Sequence, residues 1–169
     1  MFSRIAVVAA GLLIAVGGLS GCAASDSNSA DGKAGTSSPA ASTAGIGTPV
    51  SDGKFEFIVT AVDRSKIAGD PENEFMQETA KGEFVNVHIT VKNTGNESRM
   101  FSASNQKLIV GGNKYDASAI LGAPGDNEDI NPGLSVESVA SFDVPPGAVP
   151  DAIELHDSMF SSGVTVNLK

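Results

Sequence analysis

The sequence has few of the residues from which most binding and catalytic sites are built. Its 169 residues include one cysteine, no tryptophan, one tyrosine and two histidines. A single thiol excludes an internal disulfide, and two histidines without further cysteines are too few for most zinc sites. The sequence contains neither a Gly-x-Ser-x-Gly nucleophile turn nor a phosphate-binding glycine loop. We therefore expect a protein that is not an enzyme and has no cofactor.

Basic residues are also scarce. The chain has 11 Lys and Arg against 20 Asp and Glu, which gives a formal net charge of −9. Nucleic-acid binding depends on clustered Lys and Arg that neutralise phosphates, and protein adhesion to anionic lipid depends on the same charges. The charge balance argues against nucleic acid as a partner and against membrane attachment through protein charge.

Long hydrophobic runs are absent except for one near the N-terminus, from Ile5 to Leu19, which follows a positive charge at Arg4. A membrane-spanning helix needs roughly 20 apolar residues, so this run of 15 is too short. A charged start, a short apolar core and small residues after it are typical of an export signal that is removed.

The signal ends in the tetrapeptide "LSGC", formed by Leu19, Ser20, Gly21 and Cys22. Residues 1 to 22 resemble the bacterial lipoprotein signal family. The resemblance implies that the Cys22 sulfur receives a diacylglyceryl group and that the peptide bond before it is cut. The protein would then be held on the extracytoplasmic face of the cell membrane by its lipid. The alternative is an ordinary signal cut after Ala23 or Ala24, which would leave a secreted protein.

Composition divides the chain into three parts. Residues 1–21 form the signal peptide, and residues 22–50 form a lipidated N-terminus with a disordered tether rich in Ala, Ser and Gly. Such a tether cannot bury enough apolar surface to offset the cost of ordering its backbone. For residues 36–45, a helical hairpin and a stalk that carries O-linked glycans are alternatives to the disordered tether. The folded domain is expected over residues 51–169.

Alternating apolar residues predict β-strands in this domain. The alternation is clear in "GKFEFIVTAVD", where Phe55, Phe57, Val59 and Ala61 share a face, and clearer in "EFVNVHITVKN". The "GGN" sequence after "QKLIV" predicts a hairpin turn. About seven strands with almost no helical periodicity predict an all-β fold, an antiparallel β-sandwich.

Three segments carry a second resemblance: "DGKFEFIVTAV", "FVNVHITVKNTGNES" and "INPGLSVESVASFDVPPGA". Together they are similar to an immunoglobulin-like domain family of unknown function from exported Gram-positive proteins, also called telokin-like and similar to a secreted mycobacterial immunogenic antigen. The resemblance covers most of residues 52–168 and implies an immunoglobulin-like sandwich. The chain lacks the second Cys and the Trp of antibody-type domains, so its core must be stabilised by Val, Ile, Leu and Phe.

One acidic segment, "DPENEFMQETAKG", interrupts the strand pattern. Asp70 is suited to cap a short helix, Pro71 to open it and Gly82 to end it. The link from Arg64 to Gly82 is long for a hairpin, and long links are often functional. The segment is therefore the expected interaction loop for an unidentified envelope or extracellular protein, with Asp70, Glu72, Glu74 and Phe75 as its candidate residues.

Metal sites are weakly indicated. His156 and Met159, in "HDSM", provide half of a copper(I) site, because imidazole and thioether ligands suit that ion. Without a second half, His156 is expected to be a solvated surface residue, as is His88. A cluster at Asp126, Glu128 and Asp129 has carboxylates for calcium but not the ligand spacing of a helix-loop-helix calcium site. Its carboxylates are expected to be solvated.

The sequence as a whole favours a non-catalytic, lipid-anchored protein that presents an immunoglobulin-like domain to a protein or to the cell wall. The alternative function is binding of a small ligand or metal, copper or calcium. A hydrolase is the least favoured, because it would need a deep cleft with converging polar groups.

Overall fold

The computed structural model describes residues 44–169, which form ten β-strands and two short 3₁₀ turns. The strands are β1 (Val50–Asp52), β2 (Phe55–Gly69), β3 (Gln77–Asn93), β4 (Arg99–Phe101), β5 (Lys107–Val110), β6 (Asn113–Asp116), β7 (Glu128–Ile130), β8 (Ser135–Val144), β9 (Ala152–Leu155) and β10 (Val164–Asn167). The turns are Glu74–Met76 and Ala103–Asn105.

Two four-stranded antiparallel sheets pack face to face. The first sheet has the order β1-β2-β3-β8, the second has the order β10-β9-β5-β6, and β4 pairs separately with β7. The seven longer strands are the seven predicted runs, and the three strands that the pattern did not predict, β1, β4 and β7, have three residues each. The predicted β-sandwich is confirmed.

The core lies between the two sheets and contains the predicted alternating residues. The following side chains are fully buried: Phe55, Phe57, Val59, Val85, Val87, Ile89 and Val91 from the first sheet, and Leu108, Ile153, Leu155 and Val166 from the second. Burying a side chain of this size contributes about 1.5–3 kcal/mol. These side chains hold the two sheets together without a disulfide among the described residues.

A β-bulge in β2 changes the side of the strand on which one predicted core residue lies. The register of β2 against β3 shifts between Val59 and Ala61, so Ala61 pairs with His88 and is exposed. Because an extra residue in one strand reverses the alternation that follows it, Ala61 does not join the core face with Val59.

The hairpin between β5 and β6 turns at Gly111 and Gly112, whose φ angles are 57° and 79°. A two-residue turn with positive φ at both positions matches the right-handed twist of the strands that it joins. The "GGN" turn prediction is confirmed.

The folded part reaches further toward the N-terminus than residue 51. Ala44 and Val50 are buried, the Ala44 carbonyl accepts a hydrogen bond of 2.7 Å from Asn167 N, and Gly47 N donates to Val59 O at 2.8 Å. The segment from Ala44 therefore contacts both sheets before β1 begins. Among residues 44–169, no helix is long and apolar enough to cross a membrane.

Candidate functional site

A hairpin projects from the first sheet. Strand β3 pairs with β8 from Glu83 to Lys92, whereas the pairing of β2 with β3 continues past Glu83 to Gly69 and Gln77. Residues 65–82, here called the arm, therefore continue past the end of β8 as a two-stranded ribbon formed by β2 and β3. The interaction loop predicted from the sequence lies at its tip.

The base of the arm is held by charged side chains. The Asp143 carboxylate accepts hydrogen bonds from the backbone N–H groups of Lys81 and Gly82, at 2.8 and 2.9 Å. Arg64 pairs with Glu83, and Glu83 also accepts a bond of 2.6 Å from Gly147 N. Because these bonds tie the base of the arm to β8 and to the loop after it, the arm starts from a fixed direction.

A second apolar cluster stiffens the arm on the outer surface of the first sheet. Ala68, Ala80 and Phe84 are buried there beneath Ile120. Ile120 belongs to residues 118–124, here called the strap, which crosses the arm and is bonded to β8 by Ser118 N donating to Ser141 O at 2.8 Å. A two-stranded hairpin is marginally stable by itself, so this cluster supports the arm.

The tip of the arm contains a short 3₁₀ turn in place of the predicted helix. Glu74–Met76 form a single 3₁₀ turn capped by Asn73, whose side chain accepts from Phe75 N, and Gln77 starts β3. Beyond the tip, Gln77, Glu78 and Thr79 pair with Gly69, Ala68 and Ile67 of β2, and this pairing replaces the helix. The link of residues 64–82, predicted to be long for a hairpin, is therefore a hairpin whose strands pair as far as Gly69 and Gln77.

Local hydrogen bonds fix the shape of the tip. Asp70 caps a tight turn by accepting from Glu72 N at 2.8 Å, and Gln77 Nε2 donates to Asp70 O at the same distance. Asn73 Oδ1 accepts from Phe75 N at 3.1 Å. The backbone that carries Phe75 is therefore ordered before any partner binds, which lowers the entropic cost of binding.

Large apolar side chains are exposed around this turn. Phe75 is 98% exposed and Leu121 of the strap is 75% exposed, while Ile67 and Met76 are also exposed. Leaving a side chain of this size in water forgoes about 1.5–3 kcal/mol of burial. A groove of about 250 Å³ separates tip from strap and is lined by Phe75, Met76, Gln77, Glu78, Ala119, Ile120 and Leu121.

The rim of the groove is acidic. Asp70, Glu72, Glu74 and Glu78 are the charged residues between Ile67 and Ala80, and the strap adds no charge of either sign. The four predicted site residues, Asp70, Glu72, Glu74 and Phe75, thus lie together on the tip. Leu121 was not predicted as part of the site, because its approach to the tip depends on strap packing that local sequence does not encode.

A polar network lies beside the arm on the same outer surface. Asn86 Nδ2 donates to Asp63 Oδ1 at 2.8 Å and to Ser65 Oγ at 3.0 Å, and Asp63 also contacts His88 Nε2. Partial burial raises the pKa of Asp63, but the bonds from Asn86 and His88 outweigh it and hold that pKa below its ordinary value. His88 is therefore partnered and half-exposed rather than solvated.

A cavity of about 150 Å³ adjoins this network, between the arm and the strap. Asn86 lines it and is 8% exposed, and its Oδ1 has no hydrogen-bond partner among the described residues. Ser65 and Ser141 also line the cavity, together with apolar residues of the arm and strap.

A third recess lies at the end of the sandwich opposite the arm. It has a volume of about 390 Å³, and its centre is an ion pair between Arg99 and Asp157. The exposed side chains of Met100, Met159 and Phe160 line it.

The structure does not place His156 and Met159, the predicted half of a copper site, in one pocket. Met159 lines the recess, whereas the ring of His156 lies beside Glu154, with 3.8 Å between Nε2 and Oε2. The His156 side chain is only 14% exposed, and its Nδ1 contacts the Ser161 carbonyl oxygen. The prediction of a solvated His156 was wrong, because the loop of residues 156–163 folds back over it.

The acidic cluster at Asp126, Glu128 and Asp129 does not gather its carboxylates around one point. Asp126 Oδ1 accepts from Ala103 N at 2.7 Å and from Ser102 Oγ at 3.2 Å, so it caps the second 3₁₀ turn. Glu128 and Asp129 are exposed on β7. Within residues 44–169, no group of three or more His, Cys, Asp and Glu side chains is arranged to hold a metal ion.

The predicted lipidation residue Cys22 and the signal residues Leu19, Ser20 and Gly21 lie outside the described residues, as does most of the predicted tether.

Residues 44–166 match the profile of a family described as a domain of unknown function, DUF4352. No curated protein matches the chain significantly.

Solved structures share the architecture at low sequence identity. The yjhA protein of Bacillus subtilis is 16% identical, with a TM-score of 0.56 over 75% of this chain and 99% of that one. The secreted protein MPT63 of Mycobacterium tuberculosis is 16% identical, with a TM-score of 0.57 over 77% and 99% of the two chains. An uncharacterised β-sandwich protein of Clostridium difficile is 13% identical, with a TM-score of 0.50 over 73% and 91%. These likenesses establish the fold.

Proposed function

The chain belongs to the DUF4352 family, and we propose that it is a non-catalytic, lipid-anchored protein of the cell envelope that binds another protein through the tip of its arm. The lipid is attached to Cys22, and the protein is held on the extracytoplasmic face of the membrane. Residues 22–43 connect the lipid to the sandwich.

The observation that carries this proposal is the exposure of Phe75 on an ordered support. The Phe75 side chain is 98% exposed, yet its backbone is held by the Asn73 cap, and the arm beneath is held by Asp143 and by the strap. Isolated exposed apolar residues are ordinary, but several around one groove are typical of an interaction surface. An aromatic side chain in such a position supplies much of the binding energy of many interfaces.

A photo-activated cross-linking amino acid at position 75 of the full chain, in intact cells, tests the arm. We expect discrete protein adducts at position 75 that disappear when Leu121 is also changed to Ser, because the groove needs both sides. The matched control places the same amino acid at Lys92, which is exposed at the far end of β3. Absence of a protein adduct at position 75, or equal adducts at position 92, would contradict the proposal.

The lipid anchor is tested separately. In the native host, Cys22→Ser should move the protein, once its signal is removed, from the membrane fraction to the medium or the soluble envelope fraction, because the lipid is then lost and the chain carries a net negative charge. Ser20→Thr is the matched control and should stay with the membrane. Retention of the Cys22→Ser variant on the membrane would refute lipid anchoring and leave the arm proposal standing.

A further inference from the structure

Given the proposed binding role of the arm, we infer that its partner is a polypeptide segment that combines one or two large apolar side chains with flanking Lys or Arg residues. The inference rests on the proposed function and names the chemistry of the partner. The apolar side chains enter the groove between tip and strap, and the basic side chains pair with the carboxylates around it.

The groove is suited to a side chain in size and lining. Its volume of about 250 Å³ holds one large apolar side chain, and its lining includes the buried Ile120 and the exposed Phe75 and Leu121. Removing these exposed surfaces from water supplies the non-directional part of the binding free energy.

The rim determines the charge of the partner. Glu78 lines the groove, and Asp70, Glu72 and Glu74 lie within five residues of Phe75 on the same tip. The nearest basic residues in the arm, Lys66 and Lys81, lie at its base. Lys66 Nζ is already bonded to the Gly82 carbonyl oxygen. The tip therefore attracts cationic side chains and repels anionic ones over a distance of about 10 Å at moderate salt.

The same charges disfavour two other occupants of the groove. An anionic membrane surface would meet four carboxylates without a compensating basic residue. A second copy of this chain, docking tip to tip, would bring two sets of these carboxylates together in a desolvated interface. A basic and apolar polypeptide meets neither obstacle.

Synthetic peptides test the inference on residues 22–169 carrying Cys22→Ser, which lack the apolar run from Ile5 to Leu19 and cannot be lipidated. The first peptide has a central Leu-Phe pair with two lysines on each side. The second replaces the lysines by glutamates, and the third replaces Leu-Phe by Ser-Ser. Binding is measured by calorimetry at low and at high salt, and the site by backbone amide shifts. We expect the first peptide alone to bind, with shifts confined to the tip and the strap.

Variants of the protein make the test specific. We expect Phe75→Ser to weaken binding of the first peptide about tenfold or more, and the double variant Glu72→Gln/Glu74→Gln to weaken it severalfold and reduce its salt dependence. The matched control, Glu128→Gln/Asp129→Asn, removes the same number of negative charges at the other end of the sandwich. It should bind the first peptide as tightly as the parent protein does. Circular dichroism of each variant confirms that it is folded.

Three outcomes would overturn the inference. Equal weakening by the tip and control acid variants would show non-specific attraction to an acidic protein. Equal binding of the glutamate peptide would remove the role of the rim. Phe75-dependent binding to phosphatidylcholine vesicles, or Phe75-dependent dimerisation, in place of peptide binding would assign the groove to lipid or to a second copy. If cross-linking at position 75 still succeeds in cells, the arm proposal survives these results and only the partner chemistry fails.

Discussion

Arg99 and Asp157 form an ion pair that joins β4 to the loop after β9, with 3.0 Å between Arg99 Nη2 and Asp157 Oδ1 and 3.2 Å to Oδ2. Asp157 also accepts from Lys54 N at 3.1 Å, and the Arg99 guanidinium lies 5.9 Å from the centre of the Phe55 ring. One carboxylate thus connects β4, the turn between β1 and β2 and the loop after β9 at the end of the sandwich opposite the arm.

Replacing Asp157 by Asn should therefore destabilise the protein by about 1–3 kcal/mol, because the nearly buried carboxylate is lost while the arginine stays. The value lies below that of a fully buried pair, since the Arg99 side chain is 39% exposed. Urea unfolding measures the loss. The double variant Asp157→Asn/Arg99→Met should lose less than the sum of the single variants, and strict additivity would contradict the coupling.

Asp63 should make stability depend on acid pH. Its ordinary pKa is 3.8, and the bonds from Asn86 and His88 lower it in the folded state. Because the pKa of Asp63 is lower in the folded state, the ionised carboxylate stabilises the fold above pH 3.8. This contribution to the free energy of unfolding is lost as the pH falls through the pKa of the folded state. The difference in unfolding free energy between the parent and Asp63→Asn should accordingly be largest near neutral pH and shrink below about pH 3.8. A constant difference across that range would show that the carboxylate charge is immaterial.

Asp151 is the second carboxyl with a lowered pKa, and bonds from Lys169 and from the N–H of Gly111 cause it. It is present in both proteins of the comparison above, so its titration cancels in the difference. Its own replacement by Asn should move the acid unfolding midpoint without altering the Asp63 effect, because the two sites share no partner.

Ile120 should determine whether the strap stays on the arm. Its side chain is buried against Ala68, Ala80 and Phe84, so Ile120→Ala leaves a cavity and should cost about 2–5 kcal/mol of local stability. We expect faster amide hydrogen exchange at Ser118, whose N–H is bonded to β8, and along the arm, with little change in the core. Leu121→Ala is the matched control, because an exposed neighbour should change stability by less than about 0.5 kcal/mol. Equal exchange in both variants would contradict the role of Ile120.

Gly69 should be required for the arm to turn. Its φ is +114°, and a Cβ there would lie 2.1 Å from the Met76 carbonyl oxygen. Gly69→Ala therefore adds a steric clash to the usual cost of positive φ, and we expect a loss of about 2–4 kcal/mol with rearrangement of the tip. Gly112→Ala is the control for φ alone, because its φ of +79° has open space around it, and it should cost about 1–2 kcal/mol. Similar losses at both positions would contradict the clash.

The β-sandwich was predictable from the sequence because each of its longer strands buries one face, which produces alternating apolar and polar residues. Residues such as Val85, Val87 and Ile89 alternate with polar neighbours, and alternation is a local property that a single chain displays. Local signals failed for the helix predicted from Asp70, because Asp and Pro favour a helix start in isolation. Pairing of Gln77–Thr79 with Ile67–Gly69 decided the outcome, and local propensity yields to such pairing.

The candidate site was predicted only in part for the same reason. Phe75 and its acidic neighbours lie close in sequence, so their common surface was visible from the chain. The groove also needs the strap, which comes from residues more than 40 positions later in the chain, and no local signal links Leu121 to Phe75. Likewise, His156 and Met159 are three residues apart, but only Met159 lines the recess while His156 lies beside Glu154, so proximity in sequence did not make a site.

The bond between Ala44 O and Asn167 N has a mechanical consequence. A pull on the chain ahead of Ala44 is resisted first by this bond to β10 and next by the bond from Gly47 N to Val59 O on the first sheet. A pulling force from the N-terminal side therefore acts on a bond to each of the two sheets before it reaches β1. The sandwich should therefore yield under force by peeling of residues 44–47, while the arm, which lies outside this load path, keeps its shape.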